Sequence, residues 1–270
     1  MRAIVTKRND LAVNTIIEAK HKNLQAQMAR TSLDALRAVA SMQRRPLPFL
    51  THVGARTAIV GPIRYNIPMT GDLSTGYDPA MQAREYVYAG ADAVAVFTDT
   101  VIERDGMADL AIVSDVLKYT ETPVISQDYV LTEYHVVAAR AAGASAVMLH
   151  TGIVSLTQLR SLMSQVHRNR MTAIVAVHNR DQLDAVRDLS PQVIGLGGAS
   201  PLDTRVDCTL AHQLAAHVPT GTRVMLTNPL STLEEIRSMA DLHPAAVMIA
   251  HDLLTDKARR QHIRKALGQD

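Results

Sequence analysis

The sequence has no tryptophan, two phenylalanines and one cysteine in 270 residues, and aromatic residues make up only 3% of it. So few flat rings argue against a surface built to stack bases or sugars. A single thiol, Cys208, can close neither an internal disulfide nor a zinc knuckle, which points to a reducing, cytoplasmic setting. Excess charge of either sign is also missing. The 28 Lys and Arg residues stand against 26 Asp and Glu, with both signs interleaved. That balance gives no electrostatic case for nucleic acid or an anionic membrane. No apolar run approaches the roughly 20 residues of a membrane span, and the opening MRAIVTKRND lacks the apolar stretch of an export signal. What remains is an ordinary globular composition, 47% hydrophobic and 20% charged, with enough chain to bury a large core.

From residue 57 onward, short apolar runs alternate with longer amphipathic stretches. The runs are TAIVGPI (57–63), AVAVF (93–97), PVIS (123–126), AVMLH (146–150), AIVAV (173–177), QVIGLG (192–197), RVMLT (223–227) and AVMIA (246–250). They are continuous rather than alternating, as parallel strands buried on both faces should be. Helical stripes lie between them, for example Leu156, Leu159, Leu162, Met163 and Val166. Asp78-Pro79 reads as an N-cap followed by proline in the first turn, and Gly90 and Gly143 as helix stops. Eight strands, each with a helix available after it, predict a closed (β/α)8 TIM barrel over residues 57–270. A doubly wound open sheet is the alternative, but no dinucleotide fingerprint supports it. Residues 1–56 stand outside the repeat. Ile16, Ile17, Leu24 and Met28, then Leu33, Leu36 and Val39, predict two helices packed on the barrel within one domain.

Such barrels carry their chemistry at the C-terminal ends of the strands. The titratable side chains expected there are Asp128, His150, His178, His251 and Asp252, the candidate acid/base groups. Arg64, Asn66, Asp99, Gln127, Tyr129 and Asn228 are the candidate substrate contacts. Three histidines with nearby aspartates invite a metal reading. No HxH or HExxH spacing supports it, so neither a metal nor another cofactor is expected. The GLGG run at 195–198 has no lysine or hydroxyl in phosphate-loop register and reads better as a tight turn. Cys208, in VDCTLAHQL, reads as a structural thiol, and KARRQHIRK (257–265) as a solvated helix face with Ala258, Ile263 and Ala266 turned inward.

Three segments carry a family likeness: GYDPAMQAREYVYAGADAVAVFTD (76–99), SQDYVLTEYHVVAARAAGASAVML (126–149) and VAVHNRDQLDAV (175–186). Through them the chain resembles the indole-3-glycerol phosphate synthases, (β/α)8 lyases of tryptophan biosynthesis with helices ahead of the barrel. The resemblance implies that Pro62 stands at the family's first-strand Glu, Arg64 at its catalytic Lys, and Ile67-Pro68-Met69 in its phosphate loop. Gln127 replaces the general-acid Lys of the KDF motif, whose Asp is kept as Asp128 and whose Phe becomes Tyr129. Ala176 replaces the Glu of VEVH, whose His is kept as His178. Gly197 falls at the sixth-strand Asn, Thr227-Asn228-Pro229 at the Glu-Ser-Gly turn, and Ala250-His251-Asp252 at the Gly-x-Ser that receives phosphate.

Those replacements matter chemically. Glutamine cannot act as a cationic acid, alanine cannot accept a proton, and arginine holds its proton too tightly to donate it near neutral pH. Pro229 lacks a backbone donor, and Asp252 sets a negative charge where a dianion would sit. The expectation is a diverged member of the family that has lost the parent reaction. It handles a different small molecule at a remodelled mouth or serves without catalysis as a binding or regulatory partner, with a protein partner or a homo-oligomer in view; the third alternative is a still active indole-3-glycerol phosphate synthase of tryptophan biosynthesis.

Overall fold

A computed structural model describes residues 2–49, 56–67, 71–72, 77–99, 101 and 106–269, with backbone alone at 2–12, 66–67 and 71–72. Two helices come first, α1 (Arg2–Arg30) and α2 (Leu33–Met42). The barrel strands are β1 (Ala58–Ile63), β2 (Ala93–Phe97), β3 (Val124–Gln127), β4 (Ala146–His150), β5 (Thr172–Val177), β6 (Val193–Leu196), β7 (Arg223–Leu230) and β8 (Ala246–Ile249). Helices α3 (Pro79–Tyr88), α4 (Gly106–Val116), α5 (Glu133–Ala141), α6 (Leu156–Arg168), α7 (Arg180–Val186), α8 (Cys208–Ala215) and α9 (Leu233–Ala240) follow β1 to β7 in turn. The short α10 (His251–Thr255) and then α11 (Lys257–Ala266) follow β8. Every strand pairs in parallel with its neighbour in sequence, and β8 closes onto β1. A short antiparallel ladder, Asn66–Ile67 with Gly71–Asp72, rises after β1. Among the described residues no helix is long and apolar enough to cross a membrane.

Closure follows from the alternation of side chains along each strand. Inward-facing positions are mostly small, Ala58, Ala93, Ala95, Ala146, Ala176 and Ala246, with Met148, Met225 and Met248 filling the gaps between them. Phe49, which precedes β1, packs into this same cluster and is fully buried. Outward-facing branched residues such as Val94, Val96, Val147, Val175 and Ile194 meet the helices. Where neighbours come closest the sequence supplies glycine. A Cβ at Gly61 would lie 2.3 Å from the ring of Tyr86, and one at Gly195 would lie 2.7 Å from Cγ2 of Thr227.

Asp78 caps α3 by accepting the Ala80 and Met81 N–H groups, with Pro79 in the first turn. Gly143 closes the turn after α5 at a φ of +94°, a conformation that suits a residue without Cβ. Strand β7 runs three residues beyond its expected end. Its pairing with β8 shifts register between Val247 and Ile249, so Leu230 lies opposite Ile249 and Pro229 is tolerated beside the irregularity. Two apolar residues of the N-terminal stripes, Met28 and Val39, are exposed, as is Ala258 of α11, whereas Ile263 and Ala266 are buried. The basic face of α11 is not wholly solvated. Arg264 donates to the Thr57 and Gly90 carbonyls and to Asp92 at 2.7 Å, tying the last helix to the start of the barrel.

Helix α5 seats the N-terminal pair. Ala40, Leu33 and Leu36 pack on Val137 and Ala141, and the Arg140 guanidinium donates to the Gln43 and Arg44 carbonyls. The middle of α1 reaches the mouth, where Val13, Ile16 and Ile17 cover Phe97, Tyr129, Leu131 and Ile153. Replacing Phe49 by alanine removes a ring from the barrel interior and should cost about 3–5 kcal/mol. The urea midpoint should fall with an unchanged slope; a loss below about 1 kcal/mol would show that Phe49 is not part of the core.

Candidate functional site

A cavity of about 260 Å³ opens at the C-terminal end of the barrel. Gln127 from β3, Met148 and His150 from β4 and Thr227 from β7 line it from the strands, joined by His178, which follows β5. Phe97 and Arg64 line it beside β1 and β2, with the guanidinium carbon 4.1 Å above the centre of the phenyl ring. Residues 200–203, in the loop after β6, complete the wall. That loop is anchored at several points. Tyr129 donates its hydroxyl to the Pro201 carbonyl at 2.9 Å, and the Ser200 N–H donates to the Asp203 carboxylate at 2.9 Å. The Asn228 amide donates to the Asp203 carbonyl.

The GLGG run serves this packing. A Cβ at Gly197 would lie 2.0 Å from Oδ1 of Asn228, and one at Gly198 would lie 2.3 Å from Cβ of Asp203. Glycine lets the β6 loop fold tightly against the end of β7, and the Gly198 carbonyl accepts a hydrogen bond from Nδ1 of His178 at 3.0 Å. The two histidines form a pair. Nδ1 of His150 lies 3.2 Å from Nε2 of His178, and the rings are nearly parallel at 6°. Burial, with His178 adding to it, pushes the His150 pKa down to about 3. Burial lowers that of His178 as well, against the opposing pull of the Gly198 carbonyl and Asp203. Burial, chiefly, also raises the Tyr129 phenol. Near neutral pH the polar wall therefore holds two uncharged imidazoles and an intact phenol.

Asp99 and Asp128 take no part in that wall. Both are buried next to it, bound to the ammonium of Lys20 from α1 at 2.8 and 2.5 Å. Lys20 is itself only 2% exposed. Burial works against its charge, but Asp128 and Asp99 outweigh that and raise its pKa above the ordinary 10.5. The His135 ring, close by on α5, is pushed down to about 3 by burial and by the charge of Lys20. Its Nδ1 accepts the Thr132 N–H at the start of that helix.

Of the expected site residues, Arg64, Gln127, Tyr129, His150, His178 and Asn228 line the cavity together. Asp99 and Asp128 face Lys20 instead. His251 lies apart, with Nδ1 3.2 Å from the Tyr86 hydroxyl and 3.3 Å from the Gln82 amide, and Asp252 is exposed on the same turn. The Asn66 side chain, with Pro68 and Met69, falls outside the described residues. Among the described residues no three of His, Cys, Asp and Glu converge to hold a metal ion. Cys208 begins α8, half-buried and away from the cavity lining, its thiol pKa raised mainly by burial. Sequence reasoning missed Lys20 and Asp203. A signal for Lys20 was present, because Ile16, Lys20 and Leu24 recur at four-residue spacing and set the lysine in an apolar helical stripe. Asp203 lies in a long loop, seven residues beyond the end of β6, where strand-end logic does not reach.

Removing the ammonium leaves two carboxylates buried side by side, so Lys20→Met should cost about 3–5 kcal/mol in guanidinium unfolding. Adding Asp128→Asn should recover part of that loss; additive losses would show that the three groups are not coupled. Acid should weaken the fold through His135 and His150, whose folded pKa values lie below those of the unfolded chain. Their contribution is complete above about pH 6.5 and is lost as pH falls toward 3, at about 1.4 kcal/mol per pH unit for each ring. Lys20 acts in the opposite window. Its raised pKa keeps its contribution intact below 10.5 and loses it only in strong alkali. Stability curves of the wild type and His135→Gln between pH 4 and 8 test this, the variant having the shallower acid slope.

A sequence model of the family described as indole-3-glycerol phosphate synthase matches residues 13–266. Among similar proteins, the indole-3-glycerol phosphate synthase of a Nocardioides strain is 26% identical, covering 95% of this chain and 98% of its own. That of a Parafrankia strain is 28% identical over 93% of both chains. Among solved structures, phosphoribosyl anthranilate isomerase from Thermus thermophilus superposes with a TM-score of 0.57 at 16% identity, covering 78% of this chain and 98% of its own. The 3-hexulose-6-phosphate synthase from Salmonella typhimurium gives a TM-score of 0.61 at 12% identity, with the same 78% of this chain and 98% of its own. At those identities the two structures establish the shared barrel alone.

Proposed function

The chain belongs to the indole-3-glycerol phosphate synthase family, and we propose that it no longer runs the parent lyase reaction, because the positions that resemble that family's proton donor and acceptor carry Gln127 and Ala176. Instead it binds a different, non-phosphorylated small molecule at the barrel mouth. The observation that carries this reading is the composition of the wall. Gln127 stands at the family's acid position and lines the cavity. Ala176, at the base position, is a buried methyl in the barrel interior. Ring closure with loss of carbon dioxide and water needs a proton donor and an acceptor held against the substrate, and neither position supplies one.

The surroundings also disfavour a phosphate. Asp203 puts a carboxylate into the same small cavity as the Arg64 guanidinium, so the wall carries no net positive charge from that pair to hold a dianion. The Asn228 amide is already committed to a backbone carbonyl, and Pro229 has no N–H to offer. Lys20 is no replacement acid, since two carboxylates hold its proton in place.

Calorimetric titration with indole-3-glycerol phosphate at neutral pH and moderate salt tests the reading. The expected result is no saturable heat up to millimolar ligand under conditions in which a family synthase responds. Micromolar binding would mean that other contacts rebuild the phosphate site, and the reading would fail.

A further inference from the structure

The His150–His178 pair fixes more than its own geometry. A carbonyl oxygen only accepts, so the hydrogen bond at 3.0 Å between Nδ1 of His178 and the Gly198 carbonyl places a proton on Nδ1. Among the described residues no carboxylate bonds either ring, and both rings are buried, so each is the neutral imidazole with one proton. Nε2 of His178 is then a bare acceptor. The contact at 3.2 Å must be a donation from Nδ1 of His150, which leaves Nε2 of His150 without a proton. That nitrogen has no hydrogen-bond partner among the described residues and belongs to a ring that lines the cavity. A backbone carbonyl thus dictates, through two imidazoles, the polarity of one point in the wall.

The rest of the wall sets the kind of molecule that would use it. Phe97, Met148 and Leu202 supply apolar surface. The Gln127 side chain, with an amide donor and acceptor, lines the cavity beside them.

We propose that the cavity recognises a small, uncharged molecule with an apolar body and one hydroxyl or N–H group, which it donates to Nε2 of His150. The proposal rests on the reading of the mouth as a small-molecule site and names what that site selects. His150 is a binding residue in it and His178 a positioning residue, because His178 acts only by fixing the tautomer of its neighbour.

The test uses the intact protein and two matched probes, phenol and anisole, which share a ring and an oxygen but differ in the donor. Nitrogen NMR of histidine-labelled protein should show an unprotonated Nε2 and a protonated Nδ1 on both His150 and His178. Phenol should bind with a saturable shift at Nε2 of His150 and about tenfold more tightly than anisole, the worth of one hydrogen bond to a desolvated acceptor. His150→Leu should abolish the preference, and His178→Leu, which frees the tautomer, should reduce it. A protonated Nε2 on His150 in the wild type overturns the proposal before any variant is made. So does equal binding of the two probes, or failure of both to reach the cavity. These outcomes are distinct from tight binding of indole-3-glycerol phosphate, which defeats the broader reading instead.

Discussion

The Lys20 ammonium lies between the Asp99 and Asp128 carboxylates, all three out of water, and the arrangement of the mouth depends on that contact. Taking three charged groups from solvent costs several kcal/mol each, and only close, mutually satisfying geometry offsets it. An arrangement of this kind tolerates little displacement. It holds the middle of α1 at one depth, where Ile16 and Ile17 close over Phe97 and Tyr129. Those two rings in turn position Arg64 and the loop of residues 200–203. The extension is therefore part of the cavity's supporting structure.

The same contact fixes where Asp128 points. The Asp128 carboxylate faces the lysine of α1. His178 has a neighbour in His150 that shares its proton chain. Charge is neutralised inside the ion-paired cluster, while the cavity wall is left with amides, hydroxyls, imidazoles and one opposed pair of charged residues, Arg64 and Asp203. A site of that character suits recognition through hydrogen bonds and apolar contact more than the handling of a dianion.

Much of the fold was legible in the sequence because parallel strands buried on both faces leave continuous Val- and Ile-rich runs. AVAVF and AVMLH coincide with β2 and β4. The end of β7 was not legible, since a register shift against β8 depends on pairing partners that a single strand does not reveal. Strand-end logic brought Arg64, Gln127, Tyr129, His150, His178 and Asn228 to one cavity. It could not separate them from Asp128, which immediately follows Gln127 and turns to the other side. His251 shows the same limit, because a residue at the end of β8 can point to Tyr86 and Gln82 instead of the mouth. The proton order of the histidine pair depends on the carbonyl of Gly198, a backbone contact twenty residues away that no side-chain pattern encodes.

On the function proposed for this chain, the barrel persists while the family's reaction does not. The most direct measurement is turnover, following formation of indole-3-glycerol phosphate by the purified chain at saturating family substrate beside a family synthase. No rate above the protein-free reaction is expected across neutral pH. Turnover within about a hundredfold of the control would contradict it, because that would require a proton donor and acceptor that Gln127 and Ala176 do not supply.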